Sequence, residues 1–178
     1  MRIGHVFSVR WVASSFNAVS AVWDSFPALA AHFRQASDDS ARDGSEKAKF
    51  QGLLTKLSSI NFVKSLAVMA DVLTELKNLS EILQTRSITL PKAHDTMVTY
   101  VTRIGSLRTH PGKHELEASQ AENEMNFQGV ELHFGKNPVI NSAQFIQAVV
   151  DLLKEKLFTT AANKSQSNLP ETRKEAYN

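Results

Sequence analysis

The stretch that decides the fold is INFVKSLAVMADVLTELKNLSEILQTR, residues 60–86. Its apolar residues recur at alternating intervals of three and four, the spacing that places side chains on one face of an α-helix. The charged residues fall largely off that face. The pattern predicts a long amphipathic helix from Phe62 to Arg86, which is the spine of the molecule. Its apolar seam must pack against another helix or another chain, and the candidate interaction residues are Val63, Leu66, Leu73, Leu76 and Leu83.

One charged residue, Asp71, lies near the edge of this seam. A carboxylate in such a position usually pairs with a Lys or Arg of a neighbouring helix. We therefore predict a structural salt bridge for Asp71.

The segment ahead of the spine predicts two helices with a break between them. The first starts at Ser14 or Ser15, either of which suits an N-cap. Pro27 disfavours helical geometry at Phe26 and suits the first turn of a new helix capped by Ser25.

Three other helix starts are marked by residues typical of N-termini. The helices are expected to begin at Ser45, at Thr89 or Leu90 ahead of Pro91, and at Asn141 or Ser142. With the spine, the chain is expected to hold five or six helices.

Extended structure is expected at two places at most. Residues 6–12 alternate in a way that favours a short strand, and Val130, Leu132 and Phe134 alternate as a strand or an extended loop would. Residues 37–45 are rich in turn formers and are read as a solvated loop. The organisation that follows is a strand within residues 1–12, a helical domain at 13–160 and a disordered tail at 161–178.

Composition excludes several classes of protein. The chain has 178 residues, a formal net charge of +2 and no cysteine. This charge is too small to indicate a nucleic-acid binder, and a disulfide framework or a zinc–thiolate site within this chain is excluded. No apolar run predicts a signal peptide or a membrane span, so we expect a nuclear or cytoplasmic protein without membrane contact.

No catalytic motif is recognisable. A phosphate-binding glycine loop, a Gly-x-Ser-x-Gly elbow and HExxH are all missing, so we predict no catalytic residue, no metal ligand and no cofactor. The close pair His110 and His114 flanks Pro-Gly and is interpreted as two exposed loop histidines.

Arg10 and Trp11 leave two interpretations open. Trp11 can plug the core beside Val9 while Arg10 pairs at the surface. Alternatively, the indole stacks on a base and the guanidinium pairs with a phosphate, which makes Arg10 and Trp11 candidate nucleic-acid-binding residues.

The order of these segments resembles the middle of hAT-superfamily transposases and their domesticated vertebrate relatives, some of which are labelled zinc-finger-like or E3 SUMO-protein-ligase-like. The segments that carry the resemblance are FSVRWVASSFNAVSAVW, the run from KFQGLLTKL through LQTRSITLPKA, FQGVELHFGK and INSAQFIQAVVDLLKEKL. It implies a helical bundle like the helical insertion of a ribonuclease-H-like domain. It also implies that Trp11 stacks on a flipped-out base and that Arg10 contacts a phosphate.

The sequence departs from that family at its catalytic residues. The family's two aspartates precede the Arg-Trp motif, whereas none of the nine residues before Arg10 is acidic. The family's glutamate lies in a Glu-Arg pair, which does not occur here, and a RING-like zinc site would need cysteine.

These features predict a catalytically inactive, transposable-element-derived fragment. Its expected activity is protein interaction, with a full-length relative or another copy of itself, or weak DNA binding. The alternatives are a part of a larger DNA-binding transposase-like nuclear protein and a non-functional open reading frame.

Overall fold

A computed structural model describes residues 9–136 and 138–159. Within them the chain forms seven α-helices and one short β-hairpin, so the predicted mainly α fold with at most two short strands is confirmed, with more helices than expected. The predicted tail at 161–178 lies outside the described residues. The helices are α1 (Val9–Asp24), α2 (Phe26–Asp38), α3 (Gly44–Leu57), α4 (Ile60–Leu83), α5 (Leu90–Ser106), α6 (Lys113–Glu124) and α7 (Ser142–Lys154). The strands are β1 (Asn126–Phe127) and β2 (Val130–Glu131), and a π-helical turn, Glu155–Thr159, follows α7.

The spine predicted from residues 60–86 is α4. It packs against α1, α3, α5, α6 and α7, so it lies at the centre of the fold. The four consecutive residues from Ala70 to Leu73 are all buried, as expected of a helix covered on more than one side. Ser59 caps its N-terminus, with the hydroxyl oxygen accepting a hydrogen bond from the Phe62 amide.

The predicted strand at 6–12 is wrong over residues 9–12, which begin α1. Residues 9–12 adopt a helical conformation because Val12 continues the apolar face of the residues that follow it. Val12, Val19 and Trp23 are buried, and Phe16 packs against the same core. Residues 6–8 lie outside the described residues.

The break at Pro27 is confirmed. α1 ends at Asp24 and α2 begins at Phe26, whose side chain is fully buried. Ser25 occupies the N-cap position, although its side chain makes no capping hydrogen bond.

The β-hairpin closes an aromatic cluster against the first two helices. Phe127 of β1 meets Trp23 and Phe26 edge-on, with ring centroids 4.8 Å apart in both pairs. Its two-residue turn has positive φ at Gln128 (51°) and Gly129 (85°), the geometry that matches the twist of a hairpin.

The other end of the core is formed by α5 and α7, which pack against each other and against α4. On α5 the side chains of Val101 and Ile104 are buried. On α7 the buried residues are Ile146, Val150 and Leu153. Asn141 caps α7 by accepting a hydrogen bond from the Gln144 amide at 3.0 Å.

Candidate functional site

Trp11 does not plug the core. It lies on α1 with 60% of its surface exposed, so the interpretation that buried it beside Val9 is wrong. A base-stacking role needs an accessible indole, and that role stays a prediction. The side chain of Arg10, predicted as its phosphate-binding neighbour, lies outside the described part of the structure.

The predicted interaction seam is buried by other helices of the same chain. Val63, Leu66, Leu73 and Leu76 are each no more than 7% exposed, and half-buried Leu83 packs against the same core. The helices that cover α4 belong to this same chain, so the seam offers no open surface to a partner. This corrects its interpretation as an intermolecular contact.

Asp71 is buried and caps another helix. Its Oδ1 accepts hydrogen bonds from the His114 amide at 3.1 Å and from His114 Nδ1 at 2.7 Å, and its Oδ2 accepts one from the Glu115 amide at 3.0 Å. The amides at these positions of a helix are the ones that an N-cap side chain normally satisfies. The predicted Lys or Arg partner is therefore wrong, because helix α6 supplies the positive end of its own dipole together with a histidine.

Gly112 makes this arrangement possible. It occupies the N-cap position of α6, and a Cβ placed on it would lie 2.3–2.6 Å from the atoms of the Asp71 carboxyl group. The carboxylate of α4 thus fills the space that a capping side chain of α6 would need. Sequence patterns miss this cap because the capping carboxylate, the hydrogen-bond acceptor, lies 43 residues from His114.

The two loop histidines differ in their environments. His110 is exposed, as predicted. His114 lies in the first turn of α6, where its ring contacts Asp71 and meets Trp23 edge-on at 4.8 Å between centroids. The prediction that both are exposed is therefore wrong for His114, and the Asp71–His114 pair joins α1, α4 and α6.

Glu115 shares this site. Burial raises the pKa of its carboxyl group, the negative charge of Asp71 raises it further, and a hydrogen bond from the backbone of Gly112 opposes both effects. Folding therefore favours the protonated form of Glu115.

In the described ranges, no three His, Asp or Glu side chains are grouped so that they could hold a metal ion. None of the described helices combines the length and the apolar character needed to cross a bilayer.

An apolar groove lies between α1, α2, α3 and the start of α4. It encloses about 520 Å³, and its one charged lining residue is Lys56. Leu57 forms a buried floor, while Leu53 and Phe62 are 45% and 36% exposed. The apolar side chains that line it are Val22, Leu29, Phe33, Leu53, Leu57 and Phe62. Neighbouring Leu53 and Leu54 could have indicated it, since one helical face cannot fully bury both.

A loop that is held by hydrogen bonds on both sides lies beside the groove. It carries an aromatic residue, Phe134, with 76% of its surface exposed. On one side, the amide of His133 donates to Ser58 O and its carbonyl accepts from the Ile60 amide. On the other side, Asn61 Nδ2 donates to the carbonyl of Gly135 at 3.0 Å. Asn61 also lines the groove, as does Pro138, so the backbone of this loop runs beside the groove.

Both ring nitrogens of His133 lie near carbonyl oxygens: Nε2 is 2.9 Å from Thr55 O and Nδ1 is 3.1 Å from Phe134 O. A carbonyl oxygen only accepts, so the neutral ring can donate one of these bonds and the doubly protonated ring both. The ring thereby ties the loop to the end of α3.

No protein-family model matches the sequence, and no solved structure matches the fold. The resemblance to hAT-superfamily transposases therefore rests on the sequence segments that carry it and stays a prediction. The apolar groove and the exposed Phe134 are the features that most favour a binding role.

Proposed function

We propose that this chain is a non-catalytic protein-interaction module, derived from a hAT-type transposable element, that acts in the nucleus or cytoplasm by binding a second copy of itself. The observation that carries the proposal is the apolar groove, in which Leu53 and Phe62 remain open to solvent. Exposed apolar side chains gathered in a concave surface are typical of protein-binding sites.

The helical architecture supports the proposed descent, because the resemblance relates this chain to the helical insertion of such transposases. Residues 1–178 contain no Glu-Arg pair, which supports a non-catalytic role for this segment. DNA nicking by the purified chain with Mg²⁺ or Mn²⁺, abolished by mutation of its acidic residues, would overturn this part of the proposal.

A second copy is the favoured partner because this chain carries both an apolar groove and an exposed aromatic residue. The groove can receive an apolar side chain, and Phe134 is 76% exposed. A symmetric dimer can use two such features of one chain in a single interface.

The test is sedimentation velocity over a range of protein concentrations, with two matched variants. Leu53→Asp places a charge in the groove, while Leu116→Asp makes the same change on α6 at a leucine that is 60% exposed. We expect the unaltered chain and Leu116→Asp to form dimers and Leu53→Asp to be monomeric. A monomeric wild type, or equal effects of the two variants, would contradict the proposal.

A second candidate function, weak DNA binding, is favoured by the exposure of Trp11 on α1. Stacking of a base on an indole quenches its fluorescence, and alanine substitution of such a residue typically costs about 1–3 kcal/mol of binding per base. Titration of single-stranded DNA into the wild type and Trp11→Ala would test it. Binding should weaken steeply as salt rises and be reduced in the variant.

A further inference from the structure

We infer that His133 is an acid-sensitive latch: when its ring takes up a proton, it gains a second hydrogen bond and holds the loop after β2 more firmly against the C-terminal end of α3. This inference does not depend on the proposed function, since it concerns a contact within one copy of the chain.

The backbone of His133 fixes where its ring lies. Its amide donates to Ser58 O at 3.0 Å and its carbonyl accepts from the Ile60 amide at 2.9 Å, so the residue is bonded to the short segment between α3 and α4. Ser59 and His133 form a parallel β-bridge at the same point. These backbone bonds do not involve the ring, so they hold it at the end of α3 in either protonation state.

The ring of His133 caps α3. The last carbonyl groups of an α-helix have no partner within the helix. The amide four residues after Thr55 is that of Ser59, and it bonds to Lys56 O instead of Thr55 O. The Nε2 atom of His133 lies 2.9 Å from Thr55 O. The imidazole therefore supplies a donor to this carbonyl from 78 residues further along the chain.

The other ring nitrogen of His133 also faces a carbonyl, since Nδ1 lies 3.1 Å from Phe134 O. Both carbonyl oxygens only accept, and a neutral imidazole carries a single N–H. One nitrogen of the neutral ring therefore directs its lone pair at an oxygen, whereas the doubly protonated ring donates to both. The dipole of α3 also stabilises a positive charge at its C-terminus. Both effects favour the protonated ring in the folded chain.

Charged residues on the elements that contact His133 act in both directions. The nearest of them along these elements are Lys56 on α3, Glu131 on β2, Lys136 in the loop and Lys64 on α4. Lys64 pairs with Glu122 of α6 at 2.8 Å. The other three are exposed, and the two lysines among them oppose a positive ring while Glu131 favours one. Water and salt screen exposed charges, so the two ring hydrogen bonds decide the direction of the effect.

The latch joins two elements that line the apolar groove. Leu53 and Leu57 of α3 line it, and so does Pro138, which lies in the same connection between β2 and α7 as the latched loop. At neutral pH the ring holds this wall by one hydrogen bond fewer. The pH therefore sets how firmly this wall of the groove is held.

The test compares His133→Gln with the wild type by urea unfolding between about pH 5 and about pH 8, the range in which histidines change charge. Glutamine can still donate a hydrogen bond but takes up no proton. The stabilisation from the protonated ring is complete at the acidic end and is lost as pH rises and the proton leaves. The folding equilibrium constant of the wild type, relative to the variant, should be about tenfold larger at the acidic end than at the basic end.

The matched control is His110→Gln. His110 is exposed, and its Nδ1 lies 2.9 Å from the hydroxyl oxygen of Thr109. A hydroxyl group can donate or accept, so it suits either state of the ring. The folding equilibrium constant of this variant, relative to the wild type, should stay within about twofold across the same range.

Amide hydrogen exchange of the wild type tests the latch without any substitution. The Ile60 amide bonds to the carbonyl of His133 and reports on opening of the loop. After correction for the intrinsic rate, its exchange should be about tenfold slower at the acidic end.

Three results would overturn the latch. One is a stability difference between His133→Gln and the wild type that is the same at both ends of the range or shrinks as pH falls. Another is an equal pH dependence in His133→Gln and His110→Gln. The last is an Ile60 amide whose protection does not change with pH.

Discussion

The Nδ1 atom of His114 lies 2.7 Å from Oδ1 of Asp71, and this contact joins the first turn of α6 to the middle of α4. The same carboxylate accepts hydrogen bonds from the amides of His114 and Glu115. A single buried side chain therefore satisfies three donors that would otherwise lose their partners.

Replacing Asp71 with alanine is predicted to destabilise the fold by about 2–4 kcal/mol, because the three donors lose their acceptor. Urea unfolding followed by circular dichroism measures the change. The matched control is Asp95→Ala, since Asp95 is exposed on α5. A loss below about 0.5 kcal/mol in Asp71→Ala would show that water replaces the carboxylate as cap.

Two glycine-to-alanine substitutions with opposite expected effects on stability test how closely the Asp71 carboxyl group approaches Gly112. A Cβ there would overlap the carboxyl group of Asp71, so Gly112→Ala should destabilise the fold by about 1–3 kcal/mol. Gly52 lies inside α3 and a Cβ on it would meet no atom within 4 Å, so Gly52→Ala should stabilise the fold by about 0.5–1 kcal/mol. Thermal unfolding of the two variants measures both changes in stability and their directions. Equal effects would contradict the geometry at Gly112.

The difference in stability between Glu115→Gln and the wild type should depend on pH. The pKa of Glu115 is raised above its ordinary value of 4.5, so the stabilisation from its protonated form is complete below that value and is lost as pH rises through the raised pKa. Glutamine mimics the protonated carboxyl group. The variant should therefore be more stable than the wild type at pH 7, and the difference should vanish as pH falls below about 4.5.

The control for this measurement is Glu131→Gln, an exposed position on β2. Its unfolding free energy should stay within about 0.5 kcal/mol of the wild type at pH 7. A Glu115→Gln variant that is less stable than the wild type at neutral pH would contradict the direction of the Glu115 pKa shift.

The two tryptophans should respond very differently to alanine substitution. Trp23 is 5% exposed and packs against Phe127 and His114, so Trp23→Ala should cost about 3–5 kcal/mol. Trp11 is 60% exposed, and Trp11→Ala should cost less than about 1 kcal/mol. Chemical denaturation with tyrosine fluorescence or circular dichroism distinguishes them. A large loss in Trp11→Ala would indicate that Trp11 supports the fold.

Regular patterns along the chain predicted the central helix and the break before α2, although the predicted start of α1 at Ser14 or Ser15 is wrong because α1 begins at Val9. The spacing of apolar residues located α4 to within three residues at each end, and Pro27 located the break before α2. These features depend on neighbours in the sequence, so local reasoning reaches them.

Features that depend on distant residues were missed. The partner of Asp71 is the N-terminus of a helix 43 residues away, and a lysine or arginine was the more general expectation. The hairpin turn is local, and it was missed for another reason: Gln128 and Gly129 lack the Asn-Gly or Asp-Gly signal. The groove depends on how four helices meet, which no single helical pattern contains.

The cap that Asp71 places on α6 predicts an order of folding. An isolated helix of 12 residues that starts at a glycine is marginal in water, so α6 should form only after α4 presents its carboxylate. The hairpin follows directly from α6, and the loop that holds Phe134 follows from the hairpin. These elements should exchange their amide protons as one cooperative unit, the last to fold and the first to open.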